Sequence, residues 1–158
     1  MAGSSPFSKL DHVGMVVRDL DKALEHLKFL GLGPFKPFNM VIRQDTKLFG
    51  RSVDPDDIKL RIKLADIGGG VKLEVIQPLG EGPWQNFLKA KGGGIHHLAF
   101  AADNVGEQEK MLVQKGFAVL YSVKFEGGGA AVYFDASKPG SLIDVIEIVK
   151  WVPGMMPW

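Results

Sequence analysis

The chain has 158 residues, 46% of them hydrophobic and 23% charged, the composition of a globular domain with one sizeable core. Its 19 basic side chains against 18 acidic ones leave a net charge of +1, so nothing electrostatic points to nucleic acid or an anionic membrane as partner. With no cysteine, disulfides, thiolate zinc sites, iron–sulfur clusters and cysteine nucleophiles are excluded, and any metal must be held by His, Asp, Glu or backbone. No apolar run approaches the ~18–20 residues that cross a bilayer, and no basic–apolar segment opens the sequence. The expected compartment is therefore the cytoplasm.

Met1–Pro6 reads as a frayed tail. Leu10–Asp19 then has a strand pattern, and Leu20–Leu30 places Leu20, Ala23, Leu24, Leu27 and Leu30 on one helical face, with Asp19 as N-cap and Gly31 as stop. Strand-like stretches follow near Met40–Phe49, Lys59–Leu64 and Val71–Ile76. Trp84, Phe87 and Leu88 suit a short helix closed by the glycines 92–94. The pattern then repeats. Ile95–Asn104 is a strand, Val105–Lys115 a helix capped by Asn104 and stopped by Gly116, and Ala118–Val123, Ala131–Phe134 and Leu142–Ile148 are strands. The final stretch, Trp151–Trp158, is apolar but broken by Pro153 and Pro157, and is expected to lie against the body or a partner subunit.

The fold class is thus α+β: two paired β-α-β-β-β modules forming a cup-shaped mixed sheet, with helices outside and a concave face within. Residues 8–150 form one domain with halves of about 8–80 and 93–150, and residues 1–7 and 151–158 are tails.

Alternate strand residues point to opposite faces. If Val13, Met15 and Val17 meet the helix, His12, Gly14 and Val16 face the cup; likewise Lys72, Glu74 and Ile76 in the last strand of the first half. In the second half the same rule turns His97, Ala99 and Ala101 inward, then Leu142, Asp144 and Ile146. His12, Glu74, His97 and Asp144 therefore converge from matching positions of the repeat, Lys72–Ile76 lining up with Leu142–Ile146. Two imidazoles and two carboxylates suit a divalent metal of the cobalt, nickel, manganese, zinc or iron class. His96 has the opposite parity and reads as structural or as a support for a ligand; His26 reads as exposed. Leu60, Ile62 and Leu64 are assigned to the helix side, which sends Lys59, Arg61 and Lys63 into the cup as a basic lining for an anionic substrate. Tyr133 shares the cup parity and is a candidate hydrogen-bond donor to substrate. The triple glycines at 68–70, 92–94 and 127–129 lack any phosphate-loop context.

The runs Leu10-Asp-His-Val-Gly14, Val71–Leu79, Gly94-Ile-His-His-Leu-Ala99 and Gly140–Asp144 resemble the vicinal oxygen chelate (glyoxalase/bleomycin resistance) superfamily over about Leu10–Val149, with the nearest likeness to methylmalonyl-CoA epimerases. The resemblance implies that His12, Glu74, His97 and Asp144 ligate a divalent metal, and that the chain forms a homodimer. It also implies an isomerase: a metal-dependent epimerase acting on an anionic acyl-CoA thioester such as methylmalonyl-CoA through a metal-stabilised enolate. A glyoxalase I-type lyase and a non-catalytic binding or resistance protein are the alternatives. Asp144 is the expected catalytic base, with Glu74 in reserve. Two departures stand out: the family's last ligand is normally glutamate, and Lys59–Leu64 lacks the carboxylate some epimerases carry there. Glu147 lies nearby but has the wrong parity unless a bulge intervenes.

Overall fold

The computed structural model describes Ser5, residues 7–141 and residues 143–158. Most of the expected N-terminal tail and Leu142, assigned above to the cup, lie outside the described residues. The elements are β1 (Leu10–Val16), α1 (Leu20–Phe29), β2 (Arg43–Leu48), β3 (Arg51–Ser52), a 3-10 turn (Pro55–Asp57), β4 (Leu60–Asp66), β5 (Lys72–Pro78), α2 (Pro83–Lys91), β6 (Gly94–Ala101), α3 (Val105–Gln114), β7 (Val119–Phe125), β8 (Gly129–Asp135) and β9 (Val145–Lys150). Local chemistry sets the helix ends. Asp19 accepts from the Lys22 amide at 3.1 Å and Asn104 from the Glu107 amide at 3.1 Å, each capping its helix. Gly31 and Gly116 follow with φ of 98° and 93°, a conformation that ends a helix at little cost only for glycine. No helix among the described residues is long and apolar enough to cross a membrane.

The strands form one curved, unclosed mixed sheet in the order β3-β2-β7-β8-β9-β6-β1-β5-β4. Within it the antiparallel pair β1–β6 is flanked by the parallel pairs β1–β5 and β6–β9. The two halves thus meet along their first strands, with their last strands one place out on either side. The chain after α1 departs from a self-contained module. Lys36 and Leu64 exchange backbone hydrogen bonds at 2.8 Å on the outer edge of β4, and the chain then runs on to pair as β2 with β7, at the far end of the sheet. One segment of the first half therefore links both outer flanks of the cup.

Outside the cup, Leu20, Leu24 and Leu27 of α1 cover Leu73 and Val75, while Val105 and Leu112 of α3 cover Val132, Phe134 and Ile148. The larger core lies inside, where Val16, Ile76, Trp84, Tyr121, Phe125, Tyr133, Val145 and Val149 pack together. This corrects the assignment of β4. Directly opposed residues share a face, and Ile62 opposes Ile76 while Arg61 opposes Gln77 and Lys63 opposes Val75. Leu60 and Ile62 accordingly enter the cup, and Arg61 and Lys63 lie on the helix side. Arg61 pairs there with Asp21 of α1 at 3.0 Å. The physical reason is that the concave face is the more apolar one, whereas the helix side of an edge strand is partly open to water. The C-terminal stretch lies against the body, with Val152 and Met155 buried in the inner core.

Trp84 is 1% exposed, and its indole donates to the Tyr133 hydroxyl at 3.2 Å. Trp84→Ala should cost about 3–5 kcal/mol, measured as a lower urea midpoint; a loss below about 1 kcal/mol would contradict this description of the inner core.

Candidate metal centre

His12 on β1, Glu74 on β5, His97 on β6 and Glu147 on β9 meet at the base of the cup, all four buried, with one donor atom from each lying within 4.8 Å of the others. His12 Nε2 and His97 Nε2 are 3.2 Å apart, and Glu147 Oε1 lies 3.2 Å from each. Glu74 Oε1 is 3.4 Å from His97 Nε2 and 3.7 Å from His12 Nε2.

Pairing register explains why these four meet. In the parallel pairs, Gly14 stands beside Glu74 and Ala99 beside Glu147, so each carboxylate arrives two residues beyond its own half's histidine. Between β1 and β6, Gly14 opposes His97 and Met15 opposes Ile95, which leaves His96 as the extra residue of a bulge. The bulge brings His96 Nδ1 to 3.0 Å from His97 Nδ1. Gly14 is indispensable here, because a Cβ on it would sit 2.0 Å from His97 Cε1.

The structure brings together His12, Glu74 and His97, and it corrects the fourth expected member. Asp144 stands one residue before β9, with its side chain 4.0 Å from Lys91 Nζ and away from the cluster. On β9, Glu147 opposes Tyr133 and Val145 is in the inner core, so the odd-numbered residues face the cup. The true counterpart of Lys72–Ile76 is Val145–Val149, three residues later than the match drawn from sequence. An odd shift turns every side chain to the other face. Glu147 thus stands in the cluster where Asp144 was expected, and it is reached without a bulge in β9. Of the expected substrate contacts, Tyr133 faces the cup and its ring centroid lies 4.9 Å from that of His97. Arg61 and Lys63 do not face it, and Arg43 is the basic residue that lines the cavity instead.

Two supporting residues escaped the sequence reading. Asp11 Oδ2 accepts from His12 Nδ1 at 2.7 Å, and Trp151 stacks on the His12 ring at 5.7 Å between centroids. The adjacent Asp-His pair was the available signal for the first; nothing local signals the second.

Burial opposes charge on His12, but Glu147, Glu74 and the Asp11 hydrogen bond outweigh it and raise its pKa well above the usual imidazole value. His97 is raised likewise, by Glu147 and Glu74 against burial. Glu147 is held down to about 2, the two imidazoles overcoming burial. Burial and the neighbouring His97 push His96 down to about 3, so His96 is neutral and can accept the His97 Nδ1 proton. Two carboxylates in a water-poor pocket require positive charge between them. Imidazolium protons supply it, or a divalent cation does, and this nitrogen–oxygen donor set fits such an ion.

Above the cluster opens a cavity of about 740 Å³, walled by Phe38, Leu60, Ile62, Trp84, Tyr121, Phe125, Tyr133 and Trp151. Glu74 and Glu147 are on its surface, so the cluster is open to a ligand.

Two outcomes follow from this geometry. Gly14→Ala should displace the His97 ring and weaken metal uptake far more than its loss of stability explains; unaltered uptake in a titration would refute the close approach. The pH dependence has a definite sign. The raised His12 and His97 stabilise the metal-free fold fully below pH 6.5, and that stabilisation is lost as pH rises through their higher folded values. The depressed Glu147 contributes above pH 4.5 and loses its contribution as pH falls toward about 2. Metal must displace the imidazolium protons, so its affinity should climb with pH until pH passes the raised values of the two histidines. Calorimetry in buffers of different ionisation heat should register proton release; uptake without release would contradict the assignment.

Comparison with known proteins agrees with this fold. The family described as the Glyoxalase/Bleomycin resistance protein/Dioxygenase superfamily matches residues 11–134, a span that ends before Glu147. An uncharacterised protein of Bacillus subtilis, YqjC, is 32% identical over 145 residues, covering 89% of this chain and 92% of its own. Among solved structures, methylmalonyl-CoA epimerase from Mycobacterium tuberculosis superposes with a TM-score of 0.64 at 24% identity, covering 97% of this chain and 94% of that one. A methylmalonyl-CoA epimerase in complex with methylmalonyl-CoA and ammonium gives a TM-score of 0.64 at 21% identity, over 96% and 99% of the two chains. The sheet order, the paired halves and the extent of the family match lead to one conclusion: this chain belongs to the glyoxalase/bleomycin resistance, or vicinal oxygen chelate, superfamily.

Proposed function

We propose that the protein is a metal-dependent isomerase that inverts the carbon next to the thioester carbonyl of an acyl-CoA such as methylmalonyl-CoA. The observation that carries this reading is the convergence of two buried imidazoles and two buried carboxylates at the base of an apolar cavity. The similarity to epimerases, one of them solved with methylmalonyl-CoA, supports the choice of substrate.

A bound divalent cation supplies a Lewis acid for the carbonyl oxygen and thereby acidifies the neighbouring carbon-bound proton. His12, His97, Glu74 and Glu147 are the residues that would hold it. Glu74 and Glu147 come from strands of different halves and reach the same point, each with a second carboxylate oxygen. Inversion needs one group to take a proton from one face of the carbon and another to return it to the opposite face. The paired carboxylates are suited to that exchange, Glu147 taking the place that sequence alone assigned to Asp144. Burial, with Glu147 and Glu74 nearby, raises the Tyr133 pKa well above the ordinary tyrosine value, so its hydroxyl keeps its proton. That hydroxyl accepts from Trp84 and remains free to donate to a substrate oxygen. The apolar walls limit competing exchange with water. With Glu147 in the cluster the donor set is two histidines and two glutamates, which favours an enzyme over a non-catalytic binding protein.

Glu147→Gln should lower deuterium incorporation at the α-carbon of methylmalonyl-CoA by roughly 10²–10⁴-fold, whereas Asp144→Asn should leave it within about twofold of wild type. Turnover of methylglyoxal with glutathione, run beside it, should be negligible. Absence of exchange in the metal-loaded wild-type protein, or a loss confined to the Asp144 variant, would overturn the proposal.

A further inference from the structure

We infer that Asp11 and Trp151 form a positioning pair that fixes the His12 ring toward the cluster, which makes the segment beyond β9 a working part of the metal centre. The inference rests on the cluster being a metal site.

The Asp11 carboxylate is buried and is met by three donors from three parts of the chain. His12 Nδ1 lies at 2.7 Å, Lys72 Nζ on β5 at 3.0 Å, and the Trp151 indole nitrogen at 2.9 Å. Lys72 balances the carboxylate's charge, and the other two donors determine where its oxygens point. Because Nδ1 of His12 is engaged, Nε2 is the nitrogen presented to Glu74, His97 and Glu147. The same indole covers the His12 ring, with centroids 5.7 Å apart and planes inclined by 29°. Edge and face of that imidazole are therefore held by two residues that are hydrogen-bonded to each other.

Trp151 is itself held by a loop residue and by a residue of β7. Phe38 packs on it at 5.0 Å between centroids and Phe125 at 6.0 Å. The chain beyond it is pinned by Asn39, whose amide nitrogen donates to Met155 O at 3.0 Å and whose side chain donates to Gly154 O at 2.8 Å. His97 has a different support, a neutral histidine at 3.0 Å and the bare Cα of Gly14. The two ligand histidines are thus unequal. His12 has a carboxylate partner, and that carboxylate is also bonded by a residue outside the repeat. Trp151 also lines the cavity, so a ligand held there would touch the ring that braces His12.

Two substitutions separate positioning from packing. Trp151→Phe keeps a ring over His12 and removes the indole donor; Asp11→Asn keeps shape and one acceptor oxygen and removes the charge. Zinc affinity would be measured by chelator competition, and the visible absorption bands of the cobalt-loaded protein recorded in parallel. Asp11→Asn should weaken zinc binding by about 10–100-fold and Trp151→Phe by about tenfold, with shifted cobalt bands in both although neither residue is a ligand. Should Asp11→Asn fail to fold, Trp151→Phe decides alone. Variants with wild-type affinity and unchanged cobalt bands, beside a wild-type protein that binds both metals, overturn the positioning role and leave the metal reading standing. A wild-type protein that binds neither metal overturns the metal reading and this inference with it.

Discussion

The seam between β1 and β6 governs where the chemistry lies. These two strands carry His12 and His97, and they run antiparallel side by side with the last strand of each half beside them. Parallel pairing with β5 and β9 then delivers Glu74 and Glu147 to the same place. The seam closes with both rings inward because Gly14 has no side chain and because β6 takes up one extra residue at His96. Remove either and the distances among the four donors change. Sheet curvature, the inner core and the cavity are all arranged around this line.

Electrostatics gives the arrangement its purpose. A fold gains little by burying two glutamates beside two histidines when apolar side chains would pack the same volume. The carboxylates lower one another's fitness for burial unless a cation sits between them, and the histidine protons are a replaceable form of that cation. Asp11 adds a further buried carboxylate, met by His12, Lys72 and Trp151. The surrounding walls are aromatic and aliphatic, so the polar groups of the cavity are concentrated at its base and around Arg43. That distribution favours a ligand that offers an oxygen to the cluster and an apolar body to the walls.

Much of this was legible from sequence, for physical reasons that can be named. Asp19 with Gly31 and Asn104 with Gly116 bound their helices chemically, and the strands before them alternate cleanly enough to show His12 and His97 on the inner face. β9 was different. Val145–Val149 is apolar at nearly every position because both faces of that strand are covered, so periodicity gives no phase and the likeness of Leu142–Ile146 to Lys72–Ile76 chose the wrong one. A better guide was the glutamate itself: Leu73-Glu74-Val75-Ile76 matches Ile146-Glu147-Ile148-Val149 with the acid in place. β4 misled in another way. Its faces are well differentiated, but the apolar face belongs to the cup, and the alternation does not say which side of a curved sheet holds the larger core. The pairing of β2 with β7, and the return of Trp151 to His12, are contacts across the whole chain with no local signature.

The central claim is that Glu147, and not Asp144, completes a metal site with His12, Glu74 and His97. Diffraction from crystals of the cobalt-loaded protein, with anomalous data collected at the cobalt edge, tests it most directly. The account predicts one dominant anomalous peak at the base of the cup, within bonding distance of Nε2 of both histidines and of a carboxylate oxygen from each glutamate. A peak bound by Asp144, or density at the four side chains with no anomalous signal between them, would contradict it.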